Sequence, residues 1–196
     1  MLPFSQAAEN NKAPIADILC GIFADVREVL EIGSGTGQHA VYFGQCLPHL
    51  IWRTSDLADN IPDIRARLAA EASENVIPPV VLDVAVQPWP VTKIDGVFSA
   101  NAVHIMSWRH VVHMFRALSQ VLCDRATLCL YGPFRYKGEF TTPSNAQFDL
   151  WLKQRDPQSG VRDFEAVDAL ANAIGLRLVA DHAMPANNQL LVWQRG

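Results

Sequence analysis

Several features that would place this chain in a common functional class are missing from its sequence. Its 196 residues carry a formal net charge of −4 and contain no basic run, which argues against a general nucleic-acid binder. No uninterrupted apolar run is long enough to cross a membrane, and the N-terminus lacks the charged-then-apolar layout of a signal peptide. We therefore expect a soluble protein without a membrane partner, with the cytoplasm as its default location.

Metal and redox motifs are missing as well. The four cysteines form no CxxC pair, and neither they nor the histidines show the spacing of a metal site. Unpaired cysteines of this kind are typical of buried thiols in a reducing compartment. The sequence therefore predicts a protein without a bound metal.

The most informative segment is VLEIGSGTGQHA, at residues 29–40. Its apolar start is typical of a buried parallel strand. Glycines then alternate with hydroxyl residues over residues 33–37, and glycine lets a ligand lie against the main chain. Apolar residues return from Ala40 onward with the period of a helix, whose first N–H groups favour a negative ligand group. The turn predicts ligand contacts at Gly33, Ser34, Gly35 and Gly37.

The spacing of these glycines indicates which ligand is bound. The pattern is GxGxG rather than the dinucleotide pattern GxGxxG, and Glu31 stands two residues before the first glycine. A phosphate gains nothing from a carboxylate at that point, whereas a ligand with an amino group and a sulfonium charge does. The acid followed by GxGxG resembles motif I of the class I S-adenosylmethionine-dependent methyltransferases. The alternative is a glycine-rich turn that only packs a helix close to a strand.

Two further acids follow predicted strands. Asp56 lies about 20 residues past the glycine turn, where a Rossmann-like fold places the acid that binds ribose hydroxyls. A helix-capping aspartate is the alternative. Asp83 ends a predicted third strand at residues 80–82 and could accept a hydrogen bond from an adenine amino group. Their neighbours Leu57 and Val84 complete this part of the predicted cofactor site.

The order of the predicted elements indicates an α/β fold. Five strand–helix units are followed by two strands, at residues 176–183 and 189–194, joined by a link short enough for a hairpin. This pattern resembles the Rossmann-like class I methyltransferase fold, with a seven-stranded, mostly parallel sheet, a C-terminal antiparallel hairpin and helices on both faces. We expect a single domain over residues 1–196, in which residues 1–24 form an N-terminal lid and helix.

Two helix starts follow from local signals. Pro14 suits the first turn of a helix, so residues 9–12 before it are expected to be a polar leader. Ser144 and Gln147 fit a capping box for a later helix.

The resemblance extends to a particular family. The segments PFSQAAENNKAPI, VLEIGSGTGQHAVYF, DGVFSANAVHIMSW, LYGPFRYKGEFTTPSNAQFD and MPANNQLLVW resemble the methyltransferase-like protein 26 family over nearly the whole chain. This resemblance implies S-adenosylmethionine as cofactor, lying across residues 31–37. It implies contacts of the ribose with Asp56, of the adenine with Asp83 and Val84, and of the methionyl part with Asn101. It implies no particular substrate.

Residues that could act on a substrate come from a loop and from the leader. His104, three residues beyond Asn101, is the best-placed candidate for a catalytic base, with a structural histidine as the alternative. Tyr131, at the end of the fifth strand, either lines the substrate pocket or belongs to the core. The leader either closes over the cofactor as a lid or is a solvated tail. As a lid it would place Asn10, Asn11 and Lys12 at the substrate.

The sequence leaves three functions open. The chain is an active methyltransferase, a methyltransferase fold that binds cofactor or a partner protein without catalysis, or a small nicotinamide-dependent oxidoreductase. The glycine spacing and the terminal hairpin count against the third. No Asn-Pro-Pro-aromatic motif is present and no cysteine stands in a catalytic motif, which favours a small-molecule acceptor. The sequence indicates neither the acceptor nor the oligomeric state.

Overall fold

Strands and helices alternate along the chain in the computed structural model, which describes residues 2–196. Its α-helices are α1 (Gln6–Ile22), α2 (Gln38–Cys46), α3 (Ile61–Glu71), α4 (Ala102–Ile105), α5 (Trp108–Val121), α6 (Pro143–Arg155) and α7 (Phe164–Ala173). Its strands are β1 (Glu28–Ile32), β2 (Ile51–Asp56), β3 (Val76–Val81), β4 (Ile94–Ala100), β5 (Leu122–Gly132), β6 (Phe134–Tyr136), β7 (Glu139–Phe140), β8 (Arg162–Asp163), β9 (Leu176–Met184) and β10 (Asn188–Arg195). Short 3₁₀ turns occupy Ala58–Asn60 and Pro185–Asn187.

The large sheet has seven strands in the order β3-β2-β1-β4-β5-β10-β9. The first five strands in this order, β3, β2, β1, β4 and β5, run parallel to one another. Strand β10 is antiparallel to both β5 and β9, so the last two strands form the predicted hairpin. The expected seven-stranded, mostly parallel sheet is therefore confirmed.

Apolar side chains pack on both faces of this sheet. Strand β1 shows the division, because Leu30 and Ile32 join one cluster while Val29 joins the other. Helices α5 and α7 cover the first cluster, and α1 and α2 cover the second. Each fully buried aliphatic or aromatic side chain contributes about 1.5–3 kcal/mol to folding. The predicted helices on both faces are confirmed.

The N-terminal helix begins earlier than the position of Pro14 predicted. Helix α1 starts at Gln6, and the side chain of its N-cap, Ser5, accepts a hydrogen bond of 3.3 Å from the backbone N–H of Ala8. Pro14 lies inside the helix, where its ring removes one backbone hydrogen bond. The buried side chains of Ile15 and Leu19 hold the helix against the body despite that loss. Residues 9–12 are therefore helical, and the expectation of a separate polar leader was wrong.

Other differences are local. Helix α6 is capped by Thr142 rather than by Ser144, because Pro143 occupies the first helical position. Strand β3 begins at Val76, ahead of two prolines, and its register with β2 shifts across them. An edge strand tolerates such a break because its other side has no partner strand. A small sheet in the order β7-β6-β8 was not predicted, since strands of two or three residues carry no readable period. Across residues 2–196, no helix combines the length and the apolar character that a membrane span requires.

Candidate functional site

The first cavity lies where the strand order reverses. Strands β1 and β4 are neighbours, but the chain continues from β1 to β2 on one side and from β4 to β5 on the other. Ligands of open α/β sheets bind at this point, beyond the carboxyl ends of the strands. A cavity of about 310 Å³ opens there. The sequence-predicted residues that line it are Gly33, Gly35, Asp56, Leu57, Asp83 and Val84.

The glycine turn forms one wall of this cavity with its backbone. Gly33, Gly35 and Gly37 have φ angles of 77°, 54° and 73°, which side chains rarely adopt. A Cβ atom placed on Gly35 would meet no atom within 4 Å, so the space beside it is open. A Cβ atom on Gly33 would lie 3.0 Å from the Cβ of Ala102, at the start of α4. The turn therefore packs closely against α4 while leaving room for a ligand at Gly35.

Asp56 is held firmly at the edge of the first cavity. Its Oδ2 accepts a 2.7 Å hydrogen bond from the backbone N–H of Gly35. Its Oδ1 accepts 2.8 Å bonds from the backbone N–H of Leu57 and from the side-chain amide of Asn60. The carboxylate thus joins the glycine turn to the 3₁₀ turn after β2, and it also lines the cavity.

The structure places Glu31 in the interior, whereas the sequence predicted that it contacts the ligand. It is 1% exposed, and its Oε2 accepts bonds of 2.8 Å from the Ser34 hydroxyl and 3.1 Å from the Trp52 indole N–H. Burial raises the pKa of Glu31 to about 7, although both hydrogen bonds act in the opposite direction and the charge of Asp56 adds to the rise. Glu31, Ser34 and Gly37 do not line the first cavity. In this structure Glu31 and Ser34 support the turn through their hydrogen bond, and the predicted ligand contacts of all three residues stay predictions.

A second cavity, of about 360 Å³, lies beside the first. It brings together four of the residues that the substrate hypothesis named: Asn10 and Asn11 of α1, Asn101 before α4, and Tyr131 of β5. Asn101 has a left-handed backbone (φ 60°), and its backbone N–H donates to the Tyr131 carbonyl at 2.8 Å. Its neighbours on both sides, Ala100 and Ala102, line the first cavity. Asn101 therefore stands at the boundary between the two cavities.

His39 contacts Asn11, which lines the second cavity, and the sequence analysis did not predict this role. The Nε2 of His39 lies 2.6 Å from the Oδ1 of Asn11. Burial lowers the pKa of His39 to about 4, and the nearby Lys12 charge contributes. The imidazole is therefore neutral near pH 7, and its Nε2–H donates to Asn11. Its position in the first turn after the glycines was the one signal that the sequence offered.

Lys12 does not reach the second cavity. Its ammonium group pairs with Glu9 and lies 5.0 Å from the centre of the Tyr42 ring, on the outer side of α1. Successive positions on a helix point in different directions, so a helical leader cannot direct all of residues 10–12 to one ligand. The structure therefore places Lys12 away from the second cavity, and its predicted substrate contact stays a prediction.

His104 lines neither cavity. Its side chain is fully buried, its ring centroid lies 5.0 Å from that of Phe134, and neither ring nitrogen has a hydrogen-bond partner within residues 2–196. Burial lowers the pKa of His104 to about 3, and the charge of Arg162 contributes. The ring is neutral but out of reach of a ligand in either cavity. The interpretation of His104 as a catalytic base is corrected to a buried histidine.

Tyr131 is 2% exposed, and burial raises its pKa, against the smaller effect of the Asn11 and Asn188 amides beside its hydroxyl. Its hydroxyl is therefore protonated near pH 7 and can act as a hydrogen-bond donor. Asn145 and Asn188, from α6 and β10, also line the second cavity, and nothing in the sequence pattern had pointed to them.

The fold is similar to solved structures of methyltransferases. An O-methyltransferase family protein from Burkholderia thailandensis matches with a TM-score of 0.81 and 16% identity over 94% of this chain and 56% of that chain. An O-methyltransferase family 2 protein from Planctomyces limnophilus, in complex with apigenin, matches with a TM-score of 0.81 and 18% identity over 97% and 58%. A solved structure described as "PigF with SAH" matches with a TM-score of 0.76 and 14% identity, over 89% of this chain and 58% of that chain.

At these identities the likeness defines the fold, which is that of the Rossmann-like methyltransferases. This chain spans little more than half the length of the three solved structures. The sequence model of the family described as "Protein of unknown function (DUF938)" matches residues 2–195, and the chain belongs to that family.

Proposed function

We propose that this chain is an S-adenosylmethionine-dependent methyltransferase that acts on a small molecule. The observation that carries the proposal is the pair of adjoining cavities at the carboxyl edge of the sheet, with Asn101 between them. One cavity suits a cofactor, and the other suits an acceptor. The resemblance to the methyltransferase-like protein 26 family supports the cofactor part of this assignment.

The residues of the first cavity fit S-adenosylmethionine. The open space beside Gly35 lets a ligand lie against the backbone, where a side chain would intrude. Asp56 would accept hydrogen bonds from the ribose hydroxyls. Asp83 would accept one from the adenine amino group, with Val84 beside the ring, and Asn101 would face the methionyl part. When bound, the cofactor supplies an electrophilic methyl group on sulfur.

The chain's own contribution to the reaction is alignment. Holding two reactants in the correct geometry can lower a barrier by about 7–11 kcal/mol. The second cavity would hold the acceptor beside Asn101, with the Asn11 amide and the Tyr131 hydroxyl as orienting groups. Asn10 and Asn11 belong to a helix that is docked on the body. They therefore act as a wall of the acceptor site rather than as a closing lid.

A fold that binds the cofactor without catalysis is the second candidate. One observation favours it: no aspartate, glutamate, lysine or histidine is among the described residues that line the second cavity. An acceptor that must lose a proton would then find no base there. A nicotinamide-dependent oxidoreductase is disfavoured by the GxGxG turn and the antiparallel hairpin. The cytoplasmic location predicted from the sequence is part of the same proposal.

Calorimetry with the purified protein tests the cofactor assignment. We expect saturable binding of S-adenosylmethionine and S-adenosylhomocysteine and no response to NAD or NADP. Tight NAD binding without a response to the sulfonium ligand would overturn the proposal. Transfer of a labelled methyl group to a metabolite extract below about 1 kDa separates the enzyme from the non-catalytic alternative.

A further inference from the structure

The lining of the second cavity has an uncommon composition. Its polar side chains include five asparagines, which come from α1, the start of α4, α6 and the start of β10. They are Asn10, Asn11, Asn101, Asn145 and Asn188. The Tyr131 hydroxyl adds to them, and the Phe148 ring contributes an apolar wall. No side chain of a basic or acidic residue belongs to the described lining.

On α1, the amide groups are arranged to donate. The Oδ1 of Asn11 is occupied by His39, so the Nδ2 of Asn11 is the atom left to donate to a ligand or to the Tyr131 hydroxyl. The Oδ1 of Asn10 accepts a 2.8 Å bond from the Gln6 side chain, which likewise leaves its Nδ2 to donate.

On α6 and β10, the amide groups are arranged to accept. The Nδ2 of Asn145 donates to the Thr141 hydroxyl at 2.8 Å and to the Asn187 carbonyl at 2.9 Å. The Nδ2 of Asn188 donates to the Pro185 carbonyl at 3.1 Å and to the Ala186 carbonyl at 3.4 Å. The carbonyl oxygens of both side chains are thus left as acceptors. A ligand in this cavity would meet donors from α1 and acceptors from α6 and β10.

The lining presents no formal charge to a ligand. An ion removed from water is strongly disfavoured unless an opposite charge compensates it, and this lining supplies none. Burial keeps the Tyr131 hydroxyl protonated near pH 7, so it adds no negative charge. A neutral ligand with hydroxyl or carbonyl groups exchanges its bonds to water for bonds to amides, at a much smaller cost.

We infer that the methyl acceptor is an uncharged, ring-sized molecule with both hydrogen-bond donors and acceptors, and that this cavity selects against anionic and cationic analogues. The inference rests on the proposed function and narrows its substrate class. A volume of about 360 Å³ suits a molecule of one or two rings.

Three matched probes test the charge selection near pH 7.5. These are 4-hydroxybenzamide (neutral), 4-hydroxybenzoate (anionic) and 4-hydroxybenzylamine (cationic), titrated into the full chain and followed by ligand-observed NMR. Each probe is measured with and without saturating S-adenosylhomocysteine. We expect the neutral amide to bind at least about ten-fold more tightly than either ion. An equal or tighter affinity for either ion, or no binding of the amide, would overturn the inference.

The second part of this test places a charge in the lining of the second cavity. Asn10→Asp should shift the preference between the cationic and the neutral probe by about ten-fold or more towards the cation. Ala13→Asp is the matched control, because Ala13 is an exposed residue of the same helix outside the lining. A shift of the same size in both variants would count against the inference.

The proposed function and the inferred acceptor class can be refuted separately. Binding of S-adenosylhomocysteine without preference for the neutral probe would refute the acceptor class and leave the cofactor assignment standing. Preference for the neutral probe without cofactor binding would refute the proposed function and leave the charge selection of the cavity standing.

Discussion

The Nε2 atom of His39 lies 2.6 Å from the Oδ1 atom of Asn11, and this contact joins the first turn of α2 to helix α1. His39 follows the glycine turn that lines the first cavity, while Asn11 lines the second. The bond also decides which end of the Asn11 amide faces a ligand. The glycine turn and the second cavity are therefore held in fixed relative positions through these two side chains.

Removing this bond should destabilise the protein. His39→Phe leaves the buried Oδ1 of Asn11 without its donor, which typically costs about 1–3 kcal/mol. Urea denaturation should show a loss of that size in the free energy of unfolding. The double variant with Asn11→Leu should lose less than the sum of the two single variants, because the two side chains act as a pair. Fully additive losses would show that the contact contributes nothing.

The buried carboxyl group of Glu31 should make stability fall with rising pH. Its folded pKa of about 7 lies above its ordinary value of 4.5, so the folded state retains a proton that the unfolded state releases. The free energy of unfolding should therefore fall between about pH 4.5 and 7, by about 3 kcal/mol. Denaturation at a series of pH values should show this slope in the difference between the wild type and Glu31→Gln.

The stability difference between the wild type and Glu31→Gln also separates the effect of Glu31 from that of the buried histidines. His39 and His104 have folded pKa values of about 4 and 3, below the ordinary 6.5, so their contributions are lost as pH falls below 6.5. These contributions cancel when Glu31→Gln is compared with the wild type. Glu74→Gln, at an exposed position, is the charge-matched control. A flat difference across this pH range would contradict the burial of Glu31.

Gly35→Ala should weaken cofactor binding more than it weakens the fold. A left-handed backbone costs an L side chain about 1–2 kcal/mol, and Gly35 has a φ of 54°. The added methyl group also enters the space that we assign to the ligand. Calorimetry with S-adenosylhomocysteine should show at least about a ten-fold loss of affinity.

Gly138→Ala is a closely matched control for that variant. Gly138 has a φ of 79°, and a Cβ atom there would also meet nothing within 4 Å, but it lies outside both cavities. It should show a similar loss of stability and unchanged affinity. Equal affinity of the two variants would show that the turn does not bind the cofactor.

Asp56→Ala should weaken cofactor binding by removing a charged acceptor. Hydrogen bonds to charged groups contribute about 1.5–3 kcal/mol, which corresponds to about a ten-fold loss of affinity or more. Calorimetry with S-adenosylhomocysteine measures the change. Asp59→Ala is the control, because it removes a carboxylate from the same turn at an exposed position outside the cavity. An unchanged dissociation constant for a folded Asp56→Ala variant would refute the ribose assignment.

Much of the fold and of the first cavity followed from local sequence patterns. Strand β1, the glycine turn and α2 were predictable because an apolar run, alternating glycines and a helical period stand side by side. Asp56 and Asp83 were predictable as cavity residues because parallel strands bring their carboxyl ends to one edge. The start of α1 was not, because Pro14 resembled a helix start and only the packing of the apolar face shows that the helix continues through it.

The sequence by itself determined the succession of the seven long strands along the chain, the terminal hairpin and the position of the glycine turn, because these depend on neighbours along the chain. Only the tertiary structure decided that Asn11, Asn101 and Asn188 share one cavity while Lys12 points away. It also decided that Glu31 and His104 are buried away from the cavities. The physical reason is that the surroundings of a side chain are set by elements distant in sequence, and local periodicity carries no record of those contacts.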